Sequence, residues 1–161
     1  MSERHQGGPP PVGESDAHRF MGEALRESRQ ALPACQPNPP VGCVIVRDGQ
    51  IVARGFTGEP GRPHAEAAAL RNLDNAPDAA SLTLFVTLEP CAFVGRTPSC
   101  ARAIVESGIR RVYVGTLDPD PRNNGAGIAI MREAGIEVTV GVGQAQVLDF
   151  IAPYLSSAPR T

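Results

Sequence analysis

Residues 88–100 read Leu88-Glu89-Pro90-Cys91-Ala92-Phe93-Val94-Gly95-Arg96-Thr97-Pro98-Ser99-Cys100. The stretch contains two cysteines with eight residues between them, and a proline precedes the first cysteine. Upstream, the tripeptide His64-Ala65-Glu66 adds an imidazole and a carboxylate. A catalytic zinc site takes three nitrogen or sulfur ligands and leaves its fourth position open to water. We therefore predict that His64, Cys91 and Cys100 hold one Zn²⁺ per chain, with Glu66 left to carry protons.

The order of these residues predicts a reaction as well as a metal. His-x-Glu followed by Pro-Cys and a second cysteine is typical of zinc deaminases, in which the metal activates a water molecule that attacks an amino-bearing ring carbon. Glu66 would take a proton from the water, pass it to the ring nitrogen and finally protonate the leaving amine, so that ammonia is released. A structural zinc site would need a fourth protein ligand. His5 and His18 are N-terminal, and Cys35 and Cys43 flank a different strand, so none is well placed.

The two sulfur ligands constrain the loop between them. Zinc–sulfur bonds of about 2.3 Å in a tetrahedral site bring the sulfurs to about 3.8 Å from each other. The loop must therefore fold back, and Gly95 and Pro98 supply one flexible and one stiff point. Thr97-Pro98 has the composition of an N-cap followed by the first helical residue. We expect Cys100 in the first turn of that helix.

Composition predicts one domain without a nucleic-acid or membrane partner. The chain has 161 residues and a formal net charge of −2, from 15 Lys and Arg against 17 Asp and Glu. That length suits a single domain, and the charge gives no overall positive field. The N-terminus lacks the apolar run of a secretory signal, and no segment has the length of a membrane span, so we expect a cytoplasmic protein. In that reducing compartment Cys35 and Cys43 are expected to be packed thiols.

The predicted elements alternate along the chain. Residues 1–14 are rich in Gly and Pro and are expected to form a flexible leader, and residues 15–161 a single zinc-dependent deaminase domain. Apolar residues recur at helical spacing from Ser15, a candidate N-cap. Arg47-Asp48-Gly49 predicts a hairpin. The pattern predicts strands at 41–46, 50–56, 81–88, 111–115 and 136–140, and later helices at 64–73, 97–107, 125–134 and 144–155.

This order of elements indicates a fold. The short crossover between the last two strands predicts that they are parallel. We expect a three-layer α/β/α sandwich with a five-stranded mixed sheet, and functional residues at the carboxyl ends of strands and the N-termini of helices. The Gly-x-Gly pieces at Gly125 and Gly141 lack the strand and acidic context of a dinucleotide site.

Several motifs are similar to those of one enzyme family. They are Pro37-Asn38-Pro39 before Val41-Gly42-Cys43-Val44, Gly61-x-Pro63-His64-Ala65-Glu66, Thr87-Leu88-Glu89-Pro90-Cys91, Gly95-Arg96-Thr97-Pro98 and Asp118-Pro119-x-Pro121. In these motifs the chain resembles the cytidine-deaminase-like superfamily. The eight-residue gap between the cysteines narrows the resemblance to the deaminase domain of the bacterial riboflavin-biosynthesis deaminase/reductase, here as a stand-alone domain, over about residues 17–155.

The resemblance implies a substrate and the residues that contact it. The substrate would be a free amino-pyrimidine, 2,5-diamino-6-(5-phosphoribosylamino)pyrimidin-4-one. Asn38, Arg96 and Asp118 stand at substrate-contacting positions. Arg96 offers a planar fork of donors to a phosphate, and a solvated loop charge is the alternative interpretation of that residue.

Four residues depart from the family pattern, and three of them, Thr57, Phe93 and Asp120, are further candidate contacts. Thr57 stands where a His commonly follows an aromatic residue. Ala92 and Phe93 stand where the family usually has Ser and His, and Asp120 replaces a usual Asn. These changes remove polar donors around the ring, to which a site built for a polar substrate is sensitive. The alternative substrate is therefore another small amino-heterocycle, such as a purine, a pterin or a natural-product intermediate.

Two other classes of function are weaker alternatives. A nucleic-acid editor would need a basic or aromatic surface, but aromatic residues make up 4% of the chain and the net charge is negative. A non-catalytic binding or assembly module would tolerate the loss of Glu66. The resemblance also implies a homo-oligomer, a dimer or larger, that acts on a small molecule. A separate reductase would then carry out the reduction in the riboflavin pathway.

Overall fold

The computed structural model describes residues 8–73, 78–95 and 97–155. Its strands are β1 (Gly42–Arg47), β2 (Gln50–Phe56), β3 (Thr83–Leu88), β4 (Arg111–Thr116) and β5 (Glu137–Val140). Its helices are α1 (Glu14–Arg29), α2 (Ala65–Arg71), α3 (Cys100–Ser107), α4 (Ala126–Glu133) and α5 (Gln144–Ile151). Two 3₁₀ turns, Ala79–Ser81 and Ala152–Tyr154, precede β3 and follow α5.

The five strands form one mixed sheet in the order β2-β1-β3-β4-β5. β1 is antiparallel to both β2 and β3, whereas β3, β4 and β5 are parallel. The predicted hairpin is a two-residue turn in which Asp48 and Gly49 have positive φ angles of 52° and 78°, as a type I′ turn requires. The predicted mixed sheet and the parallel pairing of β4 with β5 are confirmed.

Helices cover both faces of the sheet. Gly42 of β1 lies so close to α1 that a Cβ atom would be 1.8 Å from the Ala24 carbonyl oxygen. Gly55 of β2 faces the other side, where a Cβ atom would be 2.4 Å from the Ala69 nitrogen in α2. α5 shares the face of α1, with which it lines a cleft, and α3 packs between α2 and α4 on the opposite face. Across the described ranges, no helix combines the length and apolarity needed to cross a membrane.

The core is centred on β3, which is buried along its whole length. Its Phe85 stacks on Tyr113 of β4 with ring centroids 4.7 Å apart and contacts Phe20 of α1 at 5.3 Å. Burial of large apolar rings stabilises the folded state strongly. Because β3 runs directly into the segment that contains Cys91, a predicted metal ligand follows a firmly packed strand.

Two predicted helix starts are wrong. α1 begins at Glu14 and not after an N-cap at Ser15, which is exposed. α3 begins at Cys100, because the Ser99 hydroxyl caps the helix by accepting a hydrogen bond from the Arg102 backbone N–H at 3.3 Å. The threonine that was expected to cap α3 directs its hydroxyl elsewhere, as described below.

The segment before α1 contacts the sheet. Residues 1–7 of the predicted leader lie outside the described residues. Further on, the Pro9 carbonyl accepts from Arg111 Nε at 3.0 Å, and the Val12 backbone N–H donates to the Tyr113 hydroxyl at 2.9 Å. Val12 also packs against the apolar core. This part of the expected leader is therefore attached to β4.

Candidate active site

Three structural elements bring His64, Cys91 and Cys100 together. His64 is the N-cap of α2, Cys91 follows the end of β3, and Cys100 is the first residue of α3. Each offers one ligand atom, and these atoms all lie within 4.8 Å of one another. The Nδ1 atom of His64 is 3.5 Å from the Cys100 sulfur and 4.0 Å from the Cys91 sulfur.

These distances fit a zinc ion. With bonds of about 2.0–2.1 Å to nitrogen and about 2.3 Å to sulfur, a tetrahedral site separates a nitrogen from a sulfur by about 3.6 Å. One imidazole and two thiols are also donors that zinc prefers. His64 and Cys91 line a cleft, as a catalytic site requires.

The two thiols differ in acidity. Hydrogen bonds from the Cys100 thiol, from His64 and from the Cys100 backbone N–H, 3.3 Å from the Cys91 sulfur, lower the pKa of Cys91. The hydrogen bond to Cys91, followed by burial, raises the pKa of Cys100. Thiolates are the metal-binding form of cysteine. A metal ion would therefore find Cys91 ready to bind and would displace the proton of Cys100.

Glu66 lies in the first turn of α2, is 4% exposed and lines the same cleft. Burial, followed by the negative charge of Cys91, raises the pKa of Glu66 to about 7. The negative charge of Glu66 also contributes to the raised pKa of the Cys100 thiol. A carboxyl group whose pKa is near neutrality can both accept and return a proton. The structure thus places a candidate proton-transfer group beside the three candidate ligands.

The second ring nitrogen of His64 contacts Thr97. The Thr97 hydroxyl oxygen is 3.1 Å from His64 Nε2. When Nδ1 binds a metal ion, Nε2 must carry the proton, and the Thr97 oxygen can then accept it in a hydrogen bond. Such a contact fixes the tautomer and the orientation of a ligand histidine. Sequence reasoning gave Thr97 a helix-cap role instead, because a threonine before a proline favours that interpretation.

Glu89 links the segment before Cys91 to α4. Its carboxylate is 3% exposed. It accepts hydrogen bonds at 2.9–3.3 Å from the backbone N–H groups of Asp118, Gly125, Gly127 and Ile128. The N-terminus of α4 is thus occupied by a carboxylate of the same chain. Sequence reasoning missed this role, although the Gly-x-Gly motif at Gly125 was a signal: a Cβ atom on Gly127 would be 1.9 Å from the Pro90 carbonyl oxygen.

A cleft opens beside the candidate ligands. The described residues that line it include four predicted substrate contacts, Asn38, Thr57, Phe93 and Asp118. Arg96, the predicted phosphate contact, lies outside the described residues. Asp120 is not among the described lining residues, and its carboxylate accepts hydrogen bonds from the backbone and side chain of Arg122.

The hydroxyl of Thr57 takes part in the fold. It accepts from the Val41 backbone N–H at 3.0 Å and donates to the Val41 carbonyl at 3.4 Å. The Thr57 backbone N–H donates to the same carbonyl at 3.1 Å. Thr57 is therefore part of the cleft wall, with its polar group bonded to the backbone.

Comparison with known proteins gives the family of this site. Residues 14–116 match the family described as the cytidine and deoxycytidylate deaminase zinc-binding region. The chain belongs to this deaminase family. The chain is 48% identical over 123 residues to the riboflavin biosynthesis protein RibD of Aquifex aeolicus, an alignment that covers 76% of this chain and 34% of the relative. It is 44% identical over 129 residues to the chloroplastic riboflavin biosynthesis protein PYRD of Arabidopsis thaliana, covering 80% and 30% of the two chains.

A solved structure supports the same family. The chain is similar to a diaminohydroxyphosphoribosylaminopyrimidine deaminase/5-amino-6-(5-phosphoribosylamino)uracil reductase from Thermotoga maritima, with a TM-score of 0.81 and 40% identity. The match covers 88% of this chain and 41% of that protein. The chain thus spans about a third of the length of its curated relatives. The predicted resemblance and the α/β/α fold are confirmed, and the roles of individual residues stay predictions.

Proposed function

We propose that this deaminase is a zinc-dependent hydrolase of a free amino-pyrimidine, the riboflavin precursor 2,5-diamino-6-(5-phosphoribosylamino)pyrimidin-4-one. The observation that carries the proposal is the cluster of His64, Cys91 and Cys100 with the buried carboxyl of Glu66 in one cleft. The substrate is supported by the names of the relatives, since the Thermotoga protein is named as a deaminase of a phosphoribosylaminopyrimidine.

The proposed reaction divides the work between the metal ligands and Glu66. His64, through Nδ1, and the two cysteine sulfurs would hold one zinc ion per chain. When bound, zinc supplies a Lewis acid that makes water a better nucleophile at neutral pH. Glu66 takes one proton from the attacking water, passes it to the ring nitrogen, and delivers the second proton to the leaving amine. The ring carbon gains oxygen and loses nitrogen as ammonia, so water is the only co-reactant.

The substrate ring would lie against the ring side of the cleft, which we define as Asn38, Thr57, Phe93 and Asp118. Asn38 and Asp118 are buried and polar, so they can orient a ring that carries amino and carbonyl groups. Arg96 would contact the phosphate. The product would be the compound whose reductase appears in the name of the Thermotoga protein, so a reductase is the expected partner, and a homo-oligomer the expected assembly.

A second candidate is deamination of another small amino-heterocycle. The observation that favours it is the chemistry of the ring side, where Phe93 is apolar and the Thr57 hydroxyl is bonded to Val41. A ring with fewer hydrogen-bonding groups would leave fewer of its own polar atoms unpaired there. Purines, pterins and unphosphorylated pyrimidines belong in the same test.

The test is ammonia release by purified, zinc-loaded protein. The panel contains the phosphoribosylated diaminopyrimidinone, its unphosphorylated form, aminopurines, aminopterins and cytidine. We expect the first compound to give the highest kcat/KM. Higher kcat/KM for another free heterocycle would select the second candidate, and the absence of stoichiometric zinc in freshly purified protein would overturn the whole proposal.

The variant Glu66→Gln tests the proton-transfer role. It keeps the size of the side chain and should reduce kcat by about 10²–10⁴-fold, as loss of a general acid–base does, while zinc content stays unchanged. Glu106→Gln is the matched control, because Glu106 is an exposed residue of α3. Ammonia release by Glu66→Gln at the rate of the parent protein would show that another group carries the proton.

A further inference from the structure

The loop that follows Cys91 lies at the mouth of the cleft. Val94 is 76% exposed, so this loop is at the surface. Its neighbour Phe93 lines the cleft. A surface loop has few backbone constraints of its own. The position of the Phe93 ring therefore depends on what its side chain contacts.

The ring of Phe93 is covered by a guanidinium group from another loop. The Cζ atom of Arg122 lies 4.1 Å from the Phe93 ring centroid. Arg122 is held by Asp120 through a fork, with Nη2 2.7 Å from Oδ2 and Nε 3.2 Å from Oδ1. The Arg122 backbone N–H donates to the same Oδ1 at 2.9 Å. A planar fork bonded at two points leaves the guanidinium little freedom to rotate.

The loop that carries Arg122 is itself anchored. The Asp120 backbone N–H donates to Asp118 Oδ1 at 3.0 Å. Asn123 Nδ2 donates to the Pro90 carbonyl at 3.3 Å, and Asn123 is 3% exposed. The guanidinium over Phe93 is therefore fixed relative to the segment that contains Cys91.

We propose that Arg122, fixed by Asp120, is a positioning residue that holds Phe93 as an aromatic wall of the cleft, against which the substrate ring stacks. The statement about the substrate ring rests on the proposed function, whereas the statement about Phe93 does not. A cation over one face of an aromatic ring attracts the π electrons of that ring. The opposite face then suits an electron-rich ring, such as an amino-substituted heterocycle, in an offset stack.

The first experiment needs no substrate. The chain contains no tryptophan, so Phe93→Trp places a single fluorescent reporter at the wall. Acrylamide quenching and fluorescence anisotropy are measured for Phe93→Trp alone, with Arg122→Gln, and with Arg122→Lys. We expect Arg122→Gln to raise the quenching constant at least about twofold and to lower the anisotropy, because a ring without its cationic cap is more mobile. Lysine keeps the charge without the fork and should give an intermediate value.

Arg19 provides a matched control. It lies over Phe20 at 4.3 Å and pairs with Asp16 at 3.4 Å, so it repeats the combination of aspartate, arginine and phenylalanine on α1. Arg19→Gln should leave the quenching of Trp at position 93 unchanged. Equal quenching in Phe93→Trp with and without Arg122→Gln, with unchanged circular dichroism, would overturn the positioning role. Should the reporter itself unfold the chain, Arg122→Gln in the parent protein is examined by the kinetics described next.

The second experiment uses the substrate that releases ammonia fastest. Arg122→Gln should raise KM about 3- to 30-fold, the range of one stacking contact, and leave kcat and zinc content within about twofold, because the contact exists in the ground state and in the transition state. A fall in kcat together with a loss of zinc would overturn the proposal, because Arg122 would then support the metal site. An unchanged KM would mean that the substrate ring does not stack on Phe93. If the parent protein releases no ammonia from any compound, the proposed function fails while the quenching result still decides the role of Arg122.

Discussion

The two sides of the cleft are built on different supports. The metal side consists of His64, Glu66, Cys91 and Cys100. It lies at the N-termini of α2 and α3 and on the short segment that connects β3 to Cys91 through Glu89 and Pro90. The ring side lies on the loops that precede β1 and follow β2, β3 and β4. Helix and strand ends are fixed by backbone hydrogen bonds, whereas loops depend on side-chain contacts. The reaction and the choice of substrate therefore respond to different substitutions.

The largest effect is expected when a candidate ligand is removed from the metal side. Cys100→Ala should weaken zinc binding on the order of 10³-fold, because about 10–16 kcal/mol of zinc binding is shared among three or four ligands. Phe93→Ala is the matched change on the ring side and should alter zinc affinity by less than about threefold, since it removes no ligand. Competition with a chromogenic chelator measures both. A comparable loss of affinity in the two variants would show that the two sides are not separate.

The next largest effect concerns Glu66 in chelator-treated protein. Its pKa is about 7 in the folded chain against an ordinary value of 4.5. Between pH 4.5 and pH 7 the folded state binds more protons than the unfolded state. The contribution of Glu66 to the free energy of unfolding is therefore fully present below pH 4.5 and is lost as the pH rises through 7. The loss is on the order of 3 kcal/mol, because each pKa unit between the two values corresponds to about 1.4 kcal/mol. The pKa of Glu66 is raised mainly because its carboxylate is buried.

Urea unfolding at pH 4 and pH 8 measures this loss. Glu66→Gln cannot ionise, so its free energy of unfolding should fall less over that interval than that of the parent protein. His64 and Cys91 titrate in both proteins, so the difference between the two curves gives the contribution of Glu66 together with its charge interactions with those two groups. Parallel curves would indicate that the Glu66 carboxyl has an ordinary pKa.

Much of the fold could be predicted from local sequence patterns. Asp48-Gly49 specifies its turn through positive φ angles, and the alternation of strands and helices gives the mixed sheet. The starts of α1 and α3 were misplaced because several residues near each start could cap it. At α3, both Thr97 and Ser99 are cap residues by type, and only the tertiary contact of Thr97 with His64 decides which one caps the helix.

The metal side was also more predictable than the ring side. His64 and the two cysteines were predicted by type and spacing, because a zinc site demands nitrogen and sulfur donors, and Glu66 was predicted from its place in the His-x-Glu motif. Arg122 carries no such signal, since an exposed loop arginine looks the same in sequence whether or not it covers an aromatic ring. Its partner Phe93 lies 29 positions away, and the contact depends on how two loops meet at the ends of β3 and β4.

A moderate effect is expected from Thr97, which supports the metal side without being a candidate ligand. Thr97→Val keeps the shape and removes the acceptor from His64 Nε2, so zinc affinity should fall about 10- to 100-fold, as it does for similar contacts to ligand histidines. Thr97→Ser should keep most of the affinity. Thr139→Val, on an exposed position of β5, controls for loss of a hydroxyl. Parent-like zinc affinity in Thr97→Val would limit Thr97 to a packing role.

The smallest effect should come from Thr57, and it tests whether the hydroxyl of this ring-side residue contacts the substrate. Its hydroxyl bonds to the backbone of Val41, so Thr57→Val leaves a buried N–H without its acceptor and should lower the free energy of unfolding by about 1–2 kcal/mol. Thr57→Ser keeps both bonds and should be close to the parent protein. KM should change less in Thr57→Val than in Phe93→Ala, because the wall keeps its shape. The opposite pattern would be unchanged stability with a tenfold or larger rise in KM. It would mean that the Thr57 hydroxyl turns from Val41 to the substrate ring. Substrate specificity would then depend on Thr57, at the end of β2, as well as on Phe93.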